Sequence, residues 1–529
     1  MKTALPVNYI SHPLLTENCI ESRIYQQKIL NRAIYNNTLV VLPAGMGKTV
    51  IATLLIAYYL NKHTEQNGTI TTKCIFLTPT KPLVIKRSGM LKEKLSIPEC
   101  ILFSMGNIQN IRRVKLFHQA AVLVMTPNVL LNDLNNGLYD LEKVSLIVFD
   151  ECHRATGEHD YVKIPELYFS QQSDGRLLGL TTSLGNKKTA EKVCENLRIS
   201  TIEGGTTYNK ELSQYHPAKR LEWRMIPLPR LFQDIRTVLE NQLYTFIEGL
   251  NKKTTQLPND PRKISIKQLV ELQTEYQNKL LKTRPRTKIA TSLKLIIAKT
   301  ASCIRLLHLI ERIETQGLSS AKSFVDGIRK RAFHSKKELI LRRFYSLKTI
   351  KMVQKMIEEG LSKSYEHPKV IETVEIVKRQ LSINPDSRIL IFANYRASVK
   401  ILVDTLNKIN NKDMLKVSAA SLVGHLHQKV NSGLSFKQQM KLLKRFEEGL
   451  VNVIVATSVA EQGLDIIDCD LVVFYDCVPD LIRSHQRCSR TGTQKQGRVI
   501  ILITKGTADE RYYWVVKEAE KHIKKDITF

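Results

Sequence analysis

The 529-residue chain is 43% hydrophobic and 25% charged, too apolar for a disordered protein and too long for one core, so two or three domains are expected. Its 80 Lys and Arg against 50 Asp and Glu leave a net charge of +30, which favours a polyanionic partner, nucleic acid first, over merely basic housekeeping chemistry. Scattered cysteines without a C-x-x-C pair exclude a disulfide framework, and neither a secretion leader nor a run of about 18 apolar residues is present, so a cytoplasmic, nucleoid-associated protein without membrane contact is expected.

From residue 39 to 204, short apolar runs (LVVL, CIFLTP, VLVMTP, SLIVFD, LLGLTT) alternate with helical stretches. Such runs suit strands buried on both faces, which predicts a parallel sheet with crossover helices. The first strand leads through PAGMGKT into an apolar helix. Loop amides at Ala44, Gly45, Met46 and Gly47 can face a phosphate at the helix N-terminus, where the dipole and unpaired N–H groups favour anions. Lys48 offers a point charge to the β- and γ-phosphates of ATP, and the Thr49 hydroxyl a ligand to Mg2+. The full phosphate-loop pattern has Gly at 42; Leu42 stands there instead. Further on, LIVFDECHRA delivers Asp150 and Glu151 from the end of a buried strand. Asp150 can hold Mg2+, and Glu151 can orient or deprotonate the attacking water. His153 is a candidate link between ATP state and the rest of the molecule, or a simple capping histidine.

Residues 206–370 lack such runs. Segments such as ISIKQLVELQTEYQNKLLKT repeat apolar residues at three- and four-residue spacing, which predicts a helical insertion. It holds 33 Lys and Arg against 15 Asp and Glu, so 18 of the 30 surplus positive charges fall there. Nucleic-acid contact by the insertion is expected on that ground. From 388 the strand rhythm returns in RILIFA, VNVIVAT, LVVFY and RVIILIT. The expected domains are therefore 1–205, 206–370 and 371–529: an ATP-binding lobe, a basic helical insertion and a second α/β lobe. Tyr512, Tyr513 and Trp514 are expected to pack the last helix on that second lobe, with stacking on a base as the alternative.

The AGMGKT loop together with DECH resembles a superfamily 2 helicase of the DExD/H type, and other motifs follow in the family's order. RIYQQKI resembles the adenine-reading segment, with Gln26 on the base. LTPTKPLV and MTPNVLLND resemble the strand-tracking segments of the first lobe, GLTTSLG the segment that couples hydrolysis to movement, and IFANYRASV and VIVATSVAEQGLDI their second-lobe counterparts. The match narrows to the archaeal Hef and Fanconi anaemia M branch. The resemblance implies two RecA-like lobes and ATP with Mg2+ between them. It implies Gly463 and Asp465 near the nucleotide, and Lys81, Thr126, Pro127, Arg396 and Thr457 on the nucleic acid. It further implies a helicase or translocase on forked, branched or single-stranded DNA in fork repair and recombination. Hef proteins continue into a nuclease; this chain ends at Phe529 after the second lobe, so nuclease activity is not carried over, and a separate nuclease or sliding clamp is a candidate partner.

The stretch QRCSRTGTQ departs from the family's Q-R-x-G-R-T-G-R. Gln486, Arg487, Arg490 and Gly492 are kept, Ser489 replaces a glycine, and Thr493 replaces the last arginine. Arg487 and Arg490 are the expected catalytic arginines. An arginine facing the γ-phosphoryl group is worth about 10³–10⁵ in rate, and threonine has no such charge. The intact phosphate loop and DECH argue for a slowed but working DNA-stimulated ATPase. Two other readings stay open: an ATP-gated scaffold without hydrolysis, and a motor directed to duplex RNA.

Overall fold

The chain was analysed as a computed structural model that describes residues 8–97, 101–104, 109–185, 187–204, 219–254, 257–258, 260, 263–334, 338–409, 416–424, 434–460, 464, 466–492 and 496–526. The first lobe is a seven-stranded parallel sheet of β1 (Thr38–Val41), β2 (Lys73–Leu77), β3 (Ile101–Ser104), β4 (Val122–Met125), β5 (Val144–Asp150), β6 (Arg176–Thr181) and β7 (Thr201–Gly204). Their order across the sheet is β3-β4-β2-β5-β6-β1-β7. Side chains alternate between two cores, as the pleat requires. Val40, Phe76, Val124 and Val148 meet helices α1 (Ile24–Tyr35), α2 (Lys48–Lys62) and α3 (Lys81–Lys94) on one face. Leu39, Ile75, Leu123 and Ile147 meet α4 (Asn110–Gln119), α5 (Pro127–Asn135), α6 (Ile164–Phe169) and α7 (Lys187–Asn196) on the other. Burial on both faces explains why these strands read as unbroken apolar runs.

The second sheet has six parallel strands: β8 (Lys219–Ile226), β9 (Ile389–Phe392), β10 (Ala419–Leu422), β11 (Val453–Ala456), β12 (Leu471–Phe474) and β13 (Gly497–Thr504). Their order is β10-β11-β9-β12-β13-β8. One expectation is corrected here. Residues 219–226 were assigned to the helical insertion, but they form β8, paired with β13 over its whole length. As an edge strand β8 is only partly covered, so KRLEWRMI carries no continuous apolar run. Tyr512 and Tyr513 pack on this lobe as expected; Trp514 instead stands 53% exposed.

Six helices between the lobes share a separate core running from Leu228 to Leu361. They span Arg230–Thr254, Ile266–Leu281, Lys288–Thr315, Leu318–His334, Leu339–Tyr345 and Lys348–Ser362. Local chemistry sets their starts: Ser265 and Gln268 form a reciprocal capping box, and the Thr287 hydroxyl accepts from the Ala290 amide. The insertion is fastened to the second lobe by buried polar groups. Gln316 Nε2 donates to Asp476 Oδ1 at 2.6 Å while its Oε1 accepts from the Ser398 hydroxyl at 2.6 Å. Beside them, wholly buried Lys369 places Nζ 2.5 Å from Asp509 and 3.5 Å from Asp476, and donates to the Tyr475 carbonyl at 2.8 Å. Among the described residues no helix is long and apolar enough to cross a membrane.

Candidate nucleotide site and nucleic-acid face

The β1–α2 loop turns through two left-handed glycines, Gly45 (φ +82°) and Gly47 (φ +74°), and Gly47 caps α2. A β-carbon on Gly47 would meet the Gln26 side-chain nitrogen, so a larger residue there is strained by its φ and must displace Gln26. Gln26 is buried; its Nε2 donates to the Met46 carbonyl at 3.3 Å, and the Tyr25 hydroxyl donates to the same oxygen at 2.7 Å. Gln26 Oε1 has no hydrogen-bond partner. A buried orphan acceptor beside the phosphate loop fits a ligand that brings a donor, as the adenine amine would.

Lys48, at the first position of α2, folds back and donates to the carbonyls of Leu42 (2.7 Å) and Pro43 (3.1 Å). Burial pushes its ammonium down to about 8, against the pull of the neighbouring Glu151 and Asp150 carboxylates. The two effects make a pH prediction. Below about pH 8 the free chain already carries the proton that a phosphate needs; above it, each bound nucleotide must bring one. ATP affinity should therefore be flat below about pH 8 and fall by up to about tenfold per pH unit above it. Calorimetric titration of ATP checks the slope, and Lys48→Ala should abolish it.

Asp150 closes β5 and is 2% exposed. Its Oδ1 accepts from the Glu151 amide at 3.2 Å, and its Oδ2 is held by Arg87 of α3, with Nε and Nη2 each at 2.8 Å. Nothing in the spacing of IKRS announced Arg87. The Tyr161 hydroxyl, also not anticipated, donates to the carbonyls of Asp150 (2.8 Å) and Leu77 (3.3 Å) and ties the ends of β5 and β2 together. Glu151 sits in the left-handed region at φ +53°, a strained conformation typical of functional turns. Burial, then the charge of Asp150, raises its carboxyl above the usual range, and its Oε2 has no hydrogen-bond partner. His153 Nδ1 lies 3.4 Å from that oxygen, but burial drops the imidazole to about 4. It is neutral near pH 7, so the contact is not an ion pair. The same nitrogen meets the Thr181 hydroxyl at 3.1 Å, which in turn donates to the Ser183 carbonyl at 2.8 Å, so DECH and TTS share one polar chain. The hard oxygens of Asp150 and Thr49 on adjoining elements suit Mg2+.

From the second lobe, the helix Leu481–Cys488 approaches this region. Gly185 lies against Ile482, and Asp480, which caps that helix, acts electrostatically on His153. Arg487, expected as a catalytic arginine, lies inside the second lobe. It is wholly buried, with Nη1 donating to the Asp476 carbonyl and Nη2 to Asn394 Oδ1, both at 2.8 Å, between the rings of Phe392 and Phe474. A guanidinium so enclosed braces β9 against β12. Arg490 is half-buried and donates to the Leu464 carbonyl at 3.2 Å. Gln486 was read only as part of the motif, yet it is 3% exposed with neither amide atom hydrogen-bonded, a second orphan suited to a ligand. Gly463, Asp465 and Thr493 lie outside the described residues.

The candidate nucleic-acid residues follow strand ends. Lys81 opens α3 after β2 and is exposed; Thr126 and Pro127 open α5 after β4, Pro127 being buried. In the second sheet, Arg396 opens the helix after β9 and donates to the Gly424 carbonyl, and Thr457 follows β11. On the first sheet, β4 and β2 lie side by side and carry these residues, while β5, β6 and β1 carry the nucleotide candidates. The two sets of candidates thus lie along one carboxyl edge, in the place where open α/β sheets bind ligands.

A DEAD/DEAH box helicase family model matches residues 23–215, and a helicase conserved C-terminal domain model matches residues 372–495. A Methanocaldococcus jannaschii protein provisionally named an ATP-dependent RNA helicase is 31% identical over 520 residues, 98% of this chain and 62% of its own length. A Neurospora crassa protein named ATP-dependent DNA helicase mph1 is 28% identical over 506 residues, 93% of this chain and 41% of its own. The chain thus spans less than two thirds of either relative. Among solved structures, the Hef helicase domain of Pyrococcus furiosus is 34% identical, with a TM-score of 0.68 over 93% of this chain and 97% of that one.

Proposed function

The chain belongs to the Hef-type helicases of superfamily 2, and from that premise we propose that it is an ATP-driven DNA motor that unwinds or remodels forked and branched DNA. The observation that carries the reading is the cluster of Lys48, Asp150 and Glu151, in mutual electrostatic reach behind a phosphate loop that carries the orphaned Gln26 Oε1 beside it. Lys48 exchanges the carbonyls of Leu42 and Pro43 for the β- and γ-phosphates, and Gln26 Oε1 accepts from the adenine amine. Asp150 and Thr49 would hold Mg2+, which would supply a Lewis acid to the phosphate charge. Glu151, its carboxyl raised by burial, takes the proton of the attacking water. Gln486 and Arg490 meet the terminal phosphate from the second lobe, and neutral His153 carries the change to Thr181 and Ser183. Lys81, Thr126, Arg396 and Thr457 grip backbone phosphates on both sheets, so little base preference and a steep salt dependence are expected.

Phosphate release should rise with forked DNA and Mg-ATP and fall to background in Lys48→Ala; equal rates in the two proteins would refute the motor. The Methanocaldococcus relative's name makes duplex RNA the second reading. Stimulation by branched DNA exceeding that by duplex RNA of equal length supports the DNA motor, and the reverse order supports the RNA one.

A further inference from the structure

Arg87 stands beside the Lys48, Asp150 and Glu151 cluster, and the chemistry above gives it no task. It is 16% exposed, its guanidinium lies 2.8 Å from the metal-ligand candidate Asp150, and it acts electrostatically on both Lys48 and Glu151. We propose that Arg87 is the first lobe's own arginine for the γ-phosphoryl group, held on Asp150 until nucleotide arrives. The proposal rests on the nucleotide reading just given.

Charge and reach support it. Asp150 has a single oxygen, Oδ2, occupied by Arg87, and the same carboxylate is the group offered to Mg2+. Were Asp150 engaged by a cation, the guanidinium would lose its partner but keep its charge at any working pH. It then needs another anion within one side-chain rotation. Glu151 is one, with a single charge; the triphosphate carries several, and its geminal oxygens match the guanidinium fork. The second lobe fills this role only in part. Thr493 stands where the family motif has arginine, Arg487 is locked between Phe392 and Phe474, and only Arg490 remains. In the step itself the water oxygen bonds to phosphorus as the bond to the ADP oxygen breaks, and the water proton goes to Glu151. Arg87 stays protonated throughout and spreads the charge of the departing phosphoryl oxygens.

The test compares wild type, Arg87→Gln and Arg87→Lys, each with and without Thr493→Arg. The readouts are kcat with forked DNA, Kd for ADP, Kd for ADP with aluminium fluoride as transition-state mimic, and the thermal midpoint. Arg87→Gln should lower kcat by about 10²-fold or more and weaken the mimic by a similar factor while ADP affinity stays within about threefold. Arg87→Lys should fall between, and Thr493→Arg should restore Arg87→Gln by about tenfold or more while changing wild type little. The proposal is overturned if Arg87→Gln keeps kcat and mimic affinity within about threefold of wild type. It is equally overturned if ADP affinity and the thermal midpoint fall in step with kcat, since a plain structural ion pair would do that. Should wild type hydrolyse no more ATP than Lys48→Ala, the motor reading fails, and the mimic affinities still decide Arg87 separately.

Discussion

Replacing Glu151 with glutamine is expected to lower kcat by about 10²–10⁴-fold while ATP affinity stays near wild type. The substitution keeps the size of the side chain and its place at φ +53°, so the turn after β5 should survive. What disappears is a carboxylate whose Oε2 is buried without a partner and free to receive a proton. The same residue sets the acid limb of the rate profile. A general base works unprotonated, so activity is lost as pH falls through its pKa. Burial and the adjacent Asp150 charge raise that pKa above the ordinary glutamate value, and the limb should lie above the usual carboxylate range. Single-turnover phosphate release across pH checks both parts; unchanged turnover in Glu151→Gln would remove Glu151 from the chemistry.

Lys369→Met should destabilise the second lobe by about 3–5 kcal/mol, the cost of leaving buried charge without its counter-ion. Asp476 and Asp509 are each 2% exposed and lie 3.5 and 2.5 Å from the ammonium. Methionine fills the space and supplies neither charge nor donor. The sign of the pH dependence follows from Asp509, whose carboxyl burial already pushes above 3.8 while Lys369 holds it down. Without the lysine, that carboxyl should rise further and protonate as pH falls, so the deficit should shrink in acid. Urea unfolding at two pH values measures it. Adding Asp509→Asn should recover part of the loss, because one of the two unpaired charges is then gone.

The interior strands were legible and the edges were not. All nine apolar runs picked from the sequence became strands, and they are the interior strands of the two sheets. The four strands that escaped notice, β3, β7, β8 and β10, are the outermost pairs. A strand with a neighbour on one side only need not be buried throughout, and β7 and β8 alternate between half-buried and exposed positions. The site divides along a similar line. Lys48, Asp150 and Glu151 were readable because loop, strand end and chemistry recur at fixed spacing. Arg87 was not, because its contact with Asp150 depends on β2 and β5 being neighbours in the sheet, which no local pattern encodes. The burial of Arg487 was not legible either: a motif names the residue without saying on which side of the helix its guanidinium lands.

The position of β8 bears on how the molecule is assembled and how it can be cut. Its partner β13 lies more than half the chain further on, so a ribosome delivers the first half of that pair long before the second. Until Gly497–Thr504 emerges, Trp223 and Met225 belong to an orphan ribbon, and the newborn polypeptide has reason to need shelter there. A fragment begun at residue 371 would present a bare flank of Ile500 and Leu502 to its neighbours and should aggregate. A soluble version needs residues 219–226 spliced back in front.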